Sequence, residues 1–147
     1  MSKKHIPVQT ILDNDAVEKI IAWADKNPII SDLVEFLSFE FQIDITSDLD
    51  IVKGYERDSS NINGNAEVLC RPVNELECAL VLRCCQMAKI PLTISAGRTN
   101  LTGSATPEGG LILSIEKMTQ PRVTVDIESK ILTTPVGIYL EIGRAHV

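Results

Sequence analysis

A loop of small and hydroxyl-bearing residues between two apolar segments constrains this chain more than any other feature. The loop reads Ser95-Ala96-Gly97-Arg98-Thr99-Asn100-Leu101-Thr102-Gly103-Ser104. Residues 90–94 before it predict a buried strand, and residues 111–115 after it predict another. Backbone N–H groups in such a loop form a concavity for an anion, and glycine permits close approach. The hydroxyls of Ser95, Thr99 and Thr102 add donors, so the pattern predicts a loop that wraps a diphosphate.

The loop alone is also typical of an ordinary surface connection, which the same residue types often form. Its flanking segments, a strand that ends at Pro72, a helix and a later strand, favour the diphosphate site. A P-loop is excluded because no Gly-Lys-Ser or Gly-Lys-Thr ending is present. The dinucleotide fingerprint is excluded as well, because no Gly-x-Gly-x-x-Gly sequence opens a helix.

The N-terminal part of the chain predicts two helices followed by a polar segment. Asp13-Asn14-Asp15 supplies capping side chains for a helix that ends before Pro28, and Trp23 in this helix is expected in the core. A second helix is predicted from Ser31 to Phe39. Residues 46–65 are polar and rich in turn formers; 58–61 and 63–65 predict loops, and a plain linker is an alternative for this segment.

The middle of the chain predicts a βαβ unit. Its first strand covers 67–71, and Asn74 and Glu77 form a capping box for the following helix. Apolar residues at helical spacing predict an inner helix face made of Leu76, Ala79, Leu80, Cys84 and Met87. The next strand, 92–95, should run parallel to the first, with the loop at its carboxyl end, where open α/β sheets bind ligands. A hairpin is predicted over 123–133.

Composition narrows the class of protein. A length of 147 residues with 44% hydrophobic residues fits one modest globular domain. The net charge of −6 argues against a nucleic-acid partner, and no apolar run is long enough for a membrane span. The N-terminus lacks the apolar stretch of a secretory signal, so a cytoplasmic protein is expected.

The four cysteines contain no Cys-x-x-Cys pair, so their spacing predicts neither a zinc site nor an iron–sulfur site. They are Cys70, Cys78, Cys84 and Cys85. One lies in a predicted strand and three lie on a predicted helix. We therefore expect core or near-core residues in a reducing compartment and no metal site.

Several segments, in a fixed order around the loop, carry a family resemblance. The matching positions are Gly97, Thr99, Leu101, Thr102, Gly103, Ala105, the spacer Pro107-Glu108-Gly109-Gly110 and the upstream strand Val68-Leu69-Cys70-Arg71-Pro72. Over residues 55–140 the chain resembles the vanillyl-alcohol oxidase type of FAD-binding domain, in particular the glycolate oxidase and D-lactate dehydrogenase branch of FAD-linked oxidases. The resemblance implies an α+β fold: a helical lead, then the first α/β part of that domain.

The resemblance implies FAD as the cofactor. It places Pro72 where the adenine end of FAD enters and assigns the diphosphate to residues 95–104. Arg98 occupies a position at which some relatives carry a histidine bonded covalently to the flavin, so FAD should be held non-covalently there. The guanidinium of Arg98 would lie beside the diphosphate. Relatives also carry an aspartate-serine segment near the cofactor, which Asp58-Ser59 matches here.

The resemblance also implies an activity, the oxidation of a 2-hydroxy acid by hydride transfer to FAD. Electrons would then pass to a quinone or a carrier protein. Two alternatives stay open: a non-catalytic fragment that binds FAD or a nucleotide, and a nucleotide-sugar reductase of the same fold. The expected organisation is a helical lead and linker at 1–64 and the first part of the FAD-binding domain at 65–140. No catalytic residue is identified, and the 147-residue chain alone should be inactive.

Residues 141–147 have an unusual origin in this interpretation. A common short-read sequencing adapter, translated in one frame, encodes Ile142-Gly143-Arg144-Ala145-His146-Val147 and a stop codon, with Glu141 before them if the preceding base is G. We therefore expect this segment to be an adapter translation, and His146 receives no catalytic role. Source DNA that continues in frame after Leu140 with family-like sequence would support this expectation.

Overall fold

The computed structural model describes residues 11–139, which form a mixed α and β arrangement. The expected tail at 141–147 lies outside these residues. The elements in chain order are α1 (Asn14–Ala24), α2 (Ile30–Phe41), β1 (Ile45–Thr46), α3 (Leu49–Val52), a 3-10 turn (Lys53–Tyr55), β2 (Val68–Cys70), α4 (Glu75–Ala88), β3 (Leu92–Ser95), β4 (Leu111–Ser114), β5 (Thr124–Asp126) and β6 (Ile131–Thr133).

The two predicted N-terminal helices are confirmed. Asp13 caps α1, because its carboxylate accepts a hydrogen bond from the Ala16 backbone N–H at 2.8 Å. Trp23 is buried, as expected, and its ring stacks on the ring of Phe36 with 4.9 Å between centroids. This stacking joins α1 to α2 and fixes the pair as one layer.

The main sheet has four strands in the order β1-β2-β4-β3. Strands β2, β4 and β3 are parallel, and β1 pairs antiparallel with β2. The predicted parallel direction of β3 and β2 is confirmed, but β4 lies between them. Strand β3 is therefore at the edge, and Ile94 is 56% exposed. The prediction of a buried strand at 90–94 is wrong in this respect.

The two central strands, β2 and β4, are buried on both faces. Alternate residues point to opposite sides of a strand, so each strand contributes to two apolar layers. On one face, α1, α2 and α4 pack against Val68, Cys70, Leu111 and Leu113. On the other face, Leu69 and Ile112 contact Val52 of α3 and Ala66. The helical lead and the βαβ unit consequently share one continuous core.

Helix α4 begins as predicted and differs on its inner face. Asn74 is the N-cap, and its Oδ1 atom accepts a hydrogen bond from the Glu77 backbone N–H at 2.9 Å. The Glu77 carboxylate accepts in turn from the backbone N–H of Val73, the residue before the cap, at 2.7 Å. Leu76 is 46% exposed, so its prediction as an inner-face residue is wrong. Val81 is fully buried instead, because α4 turns this side toward α1 and the sheet.

The connection between β3 and β4, residues 96–110, contains no helix. It runs from the carboxyl-terminal end of β3 back to the amino-terminal end of the parallel strand β4. It runs beside the segment before β2, where Asn65 forms a bridge with Glu108. The predicted hairpin is confirmed as β5 and β6, which pair antiparallel. Within residues 11–139, no helix has the length and apolar character needed to cross a membrane.

Candidate functional site

The predicted loop begins at the carboxyl end of β3. Ser95 is the last residue of the strand and is fully buried, whereas Leu101 is 76% exposed at the far side of the loop. Pro72 follows β2 at the same edge of the sheet and is also buried. Strand β4 separates Pro72 from the loop, so the two predicted FAD-binding parts lie on either side of one strand end.

The backbone of the loop offers a row of free donors. Within the described residues, none of the N–H groups from Ala96 to Ser104 donates a hydrogen bond to another residue. The Oγ atom of Ser95 is buried and has no partner in the described part of the chain. A buried hydroxyl is costly to leave without a partner, and the N–H groups of this largely exposed loop are accessible to an anionic ligand. The donor set therefore fits the diphosphate of FAD.

Two glycines shape the loop differently. Gly103 has a φ of +76°, and a Cβ added there would lie 2.8 Å from Cδ1 of Ile62. A side chain at this position is strained whatever the neighbouring residues do. Gly97 has ordinary surroundings, because a Cβ there would meet only the Thr99 methyl group at 3.9 Å. A side chain at Gly97 would therefore fit without a clash, on the open side of the loop.

Two hydrogen bonds join polar side chains within the loop. Ser104 Oγ lies 3.0 Å from the Asn100 amide nitrogen, which donates to it, and 3.2 Å from Thr102 Oγ1. The Thr102 hydroxyl, predicted as a ligand donor, is thus already engaged within the loop. Thr99 is exposed and has no hydrogen-bond partner among the residues that the structure describes.

Asp58 is a structural residue of this site that the sequence interpretation left open between a linker and a cofactor neighbour. It is 9% exposed, and its carboxylate accepts hydrogen bonds from the Asn100 amide at 2.6 Å and the Ala105 N–H at 3.4 Å. Ser60 donates to the same carboxylate through its N–H at 2.9 Å and through its hydroxyl. The hydrogen bond from the Ser60 hydroxyl is the main cause that lowers the pKa of Asp58 to about 2.

The segment around Asp58 holds the loop at further points. The Ser59 N–H donates to the Asn100 carbonyl at 3.1 Å, and the Ser59 hydroxyl donates to the Arg98 carbonyl at 3.2 Å. Of the two interpretations left open for residues 58–60, the plain linker does not fit, because these residues dock on the loop.

Arg98 directs its guanidinium toward residues 54–55. Its Nη1 atom donates to the Gly54 carbonyl, and its Cζ atom lies 4.6 Å from the centroid of the Tyr55 ring. The Tyr55 hydroxyl donates to Glu116 Oε1 at 2.5 Å. Burial, and then this hydrogen bond, raise the pKa of Tyr55, so the phenol stays protonated.

A second group of charges continues from Glu116 along the same edge. Glu116 Oε1 lies 3.8 Å from Nη1 of Arg71, and Arg71 Nε lies 3.0 Å from an Asp44 oxygen. Lys117 donates to the same Asp44 carboxylate. The ends of β2 and β4 and the start of β1 are thereby joined by ion pairs. A cavity of about 330 Å³ lies between this network and the loop, lined by Ala96, Gly97, Arg98, Ile115, Glu116 and residues 136–139.

A family model described as "FAD binding domain" matches residues 66–142, more than half of the chain. A D-lactate dehydrogenase of Archaeoglobus fulgidus is 33% identical over 75 residues, which cover 50% of this chain and 16% of that protein. The match therefore includes β2, β4 and the whole loop, whereas Tyr55 and Asp58 precede the segment that the family model covers.

Solved structures share the fold at low sequence identity. p-Cresol methylhydroxylase with bound substrate has a TM-score of 0.60 at 20% identity, over 90% of this chain and 24% of that one. Xylooligosaccharide oxidase from Myceliophthora thermophila C1 has a TM-score of 0.55 at 14% identity, over 83% and 23%. A BBE-like 1 variant from Physcomitrella patens has a TM-score of 0.53 at 10% identity, over 86% and 26%. The chain spans about a quarter of the length of these proteins.

Proposed function

The chain belongs to this family of FAD-binding domains, its cofactor is FAD, and we propose that the whole protein is an oxidoreductase acting on a 2-hydroxy acid. The proposed FAD contacts are Pro72, Ser95, Ala96, Gly97, Arg98, Thr99, Asn100, Leu101, Thr102, Gly103 and Ser104. They belong to the part of the chain, residues 65–140, that we assign to the FAD-binding domain.

The row of free N–H groups from Ala96 to Ser104 is the observation that carries the proposal. It lies at the carboxyl end of a parallel strand, the usual ligand edge of an open α/β sheet. Residues 95–104 contain no carboxylate, so nothing within the loop repels a diphosphate. The nearby carboxylate of Asp58 is occupied by its four donors.

The described residues bind and orient the cofactor in this proposal. Their N–H groups hold the diphosphate, and the buried core beneath β2 and β4 keeps the loop at a fixed position on the sheet. Bound FAD would supply the hydride acceptor for oxidation of the substrate's alcohol carbon. None of the residues 11–139 is assigned a catalytic role.

The substrate class is the finer part of the proposal. The similarity to a D-lactate dehydrogenase supports a 2-hydroxy acid, and the spacer Pro107-Glu108-Gly109-Gly110 supports the same branch. The electron acceptor would be a quinone or a carrier protein, and the protein would be cytoplasmic. Arginine at position 98 supports non-covalent attachment of FAD at this point of the loop.

An anaerobic reduction experiment tests the function. The whole protein is reconstituted with FAD, and the absorbance of oxidised flavin is followed after addition of D-lactate or glycolate. Rapid bleaching with one of these acids is expected, because a 2-hydroxy acid is the hydride donor in the proposed reaction. Reconstituted protein that no 2-hydroxy acid bleaches would overturn the proposed substrate class. Failure of the wild-type protein to bind FAD would overturn the cofactor site itself.

A further inference from the structure

We propose that Arg98 is a positioning residue, which holds the loop in its binding shape through Tyr55 rather than contacting the diphosphate with its guanidinium. The inference rests on the proposed function, because it concerns the same loop. It changes the role expected for the one charged side chain between Ser95 and Ser104.

The side chain of Arg98 already has partners on two sides. Nη1 donates to the Gly54 carbonyl, and the planar group lies over the Tyr55 ring at 4.6 Å. A guanidinium that bound the diphosphate would have to release both contacts. Arginine suits the observed arrangement, because its flat, weakly hydrated head stacks on an aromatic face while its edge donates to a carbonyl.

The ring that receives Arg98 is itself fixed in place. Tyr55 is half-buried against the layer formed by Val52, Leu69 and Ile112, and its hydroxyl donates to Glu116 at 2.5 Å. Glu116 follows β4, so the contact joins the loop to the end of the central strand. Through Tyr55, Arg98 therefore anchors the start of the loop to the sheet.

The backbone of Arg98 needs such support. Its φ is +56°, a left-handed conformation that costs energy for a residue other than glycine. The Ser59 hydroxyl holds the Arg98 carbonyl at 3.2 Å while the side chain is held at residues 54–55. Both contacts favour the same backbone conformation, in which the N–H groups of Gly97 and Arg98 stay free for a ligand.

A double-mutant cycle on FAD binding by the whole protein tests this role. Arg98→Ala should weaken FAD binding about 3- to 10-fold, and Tyr55→Leu about 2- to 5-fold, the range of an exposed cation–π contact. In the Arg98→Ala background, Tyr55→Leu should cause no further loss, because the partner is already gone. Tyr55→Phe keeps the ring but removes the hydrogen bond to Glu116, so its loss of affinity should be smaller than that of Tyr55→Leu.

Ionic strength separates a positioning role from a phosphate ligand. The salt dependence of FAD affinity should be the same in Arg98→Ala and wild type, since no charge contact with the diphosphate is lost. Arg98→Lys should recover only part of the affinity, because an ammonium keeps the charge but lacks the flat stacking surface. Full recovery with Arg98→Lys, or a clearly weaker salt dependence in Arg98→Ala, would overturn the inference.

The remaining outcomes are also decisive. Losses from Arg98→Ala and Tyr55→Leu that multiply in the double variant would show independent roles and refute the inference while FAD binding by the wild type still stands. If Arg98→Ala does not fold, the cycle is run with Arg98→Lys and the Tyr55→Leu and Tyr55→Phe pair. A wild-type protein that does not bind FAD would overturn the proposed function and this inference together.

Discussion

The Asn100 amide donates a hydrogen bond to the Asp58 carboxylate at 2.6 Å, although the two residues are 42 positions apart in the chain. The other oxygen of Asp58 accepts from Ser60, so one carboxylate joins the segment before β2 to the loop after β3. The contact orders a loop that has few bonds of its own. This is why variants of Asp58 are informative about the cofactor site.

Asp58→Asn should weaken FAD binding by the whole protein at least about fivefold, because an amide replaces acceptor capacity with donors that face the donors of Asn100 and Ser60. The measurement is a titration of the apo-protein with FAD. Asp50→Asn is the matched control, since Asp50 is an exposed carboxylate on α3. Equal affinity of Asp58→Asn and wild type would contradict the ordering role of Asp58.

The pH dependence of stability should carry the signature of Asp58. Its folded-state pKa is about 2, below the ordinary 3.8, so its contribution to stability is present above about pH 4 and is lost as the pH falls toward 2. Urea unfolding of wild type and Asp58→Asn at several pH values measures this. The difference between their urea midpoints should be constant above about pH 5 and should shrink as the pH falls toward 2. A difference that grows on acidification would contradict the lowered pKa of Asp58.

The cysteines should differ in reactivity with a thiol reagent. Burial raises the pKa of Cys84 and Cys85 to about 12, and Cys70 is fully buried in β2. Cys78 is only partly buried, in contact with the sulfur of Met118 at 3.3 Å. We expect one thiol to react in the native chain and four after unfolding. Cys78→Ser should remove the native reaction, and a fast reaction that survives in this variant would contradict the described burial.

Flavin attachment offers a test that does not depend on activity. Position 98 is arginine, which cannot form the flavin bond that a histidine makes in some relatives. Acid precipitation of the FAD-loaded protein should therefore leave all flavin in the supernatant. Flavin that stays with the pellet after washing would show a covalent bond elsewhere in the protein and refute the expectation.

Local sequence patterns predicted the central part of this fold well. The apolar segments that became β2 and β4, the capping of α4 by Asn74 and the loop at the end of β3 all depend on residues close together in the chain. The edge position of β3 could not be predicted in this way, because strand order depends on where the chain returns. Ile94 is exposed for that reason, although its neighbours in sequence are apolar.

The backbone of the loop was predicted better than its side-chain contacts. A run of glycine and hydroxyl residues indicates a loop with free N–H groups, which depends on local conformation. The contacts of Tyr55 with Arg98 and of Asp58 with Asn100 join segments more than 40 positions apart. Such pairs have no local signature, since a polar segment with aspartate and tyrosine is equally typical of an exposed linker.

The two loop glycines should separate folding from binding. Gly97→Val should leave the urea midpoint close to that of the wild type, because a Cβ at this position meets only the Thr99 methyl group at 3.9 Å. It should nevertheless weaken FAD binding about tenfold or more, since its side chain would occupy the open side of the loop and hold the diphosphate away from the N–H groups. Normal stability with normal affinity would show that the ligand does not approach Gly97.

Gly103→Val should reduce both stability and FAD affinity. Its φ of +76° strains a β-branched residue, and the added Cβ would lie 2.8 Å from Ile62 Cδ1. Gly109→Val is the matched control, because Gly109 has a similar φ of +80°, open surroundings and a place outside the loop. Both variants should lose stability through backbone strain, and Gly103→Val should lose more because of the Ile62 contact. Only Gly103→Val should lose FAD affinity in conditions where both remain folded. Equal affinity of both folded variants would mean that the loop is a connector and that FAD binds elsewhere on the protein.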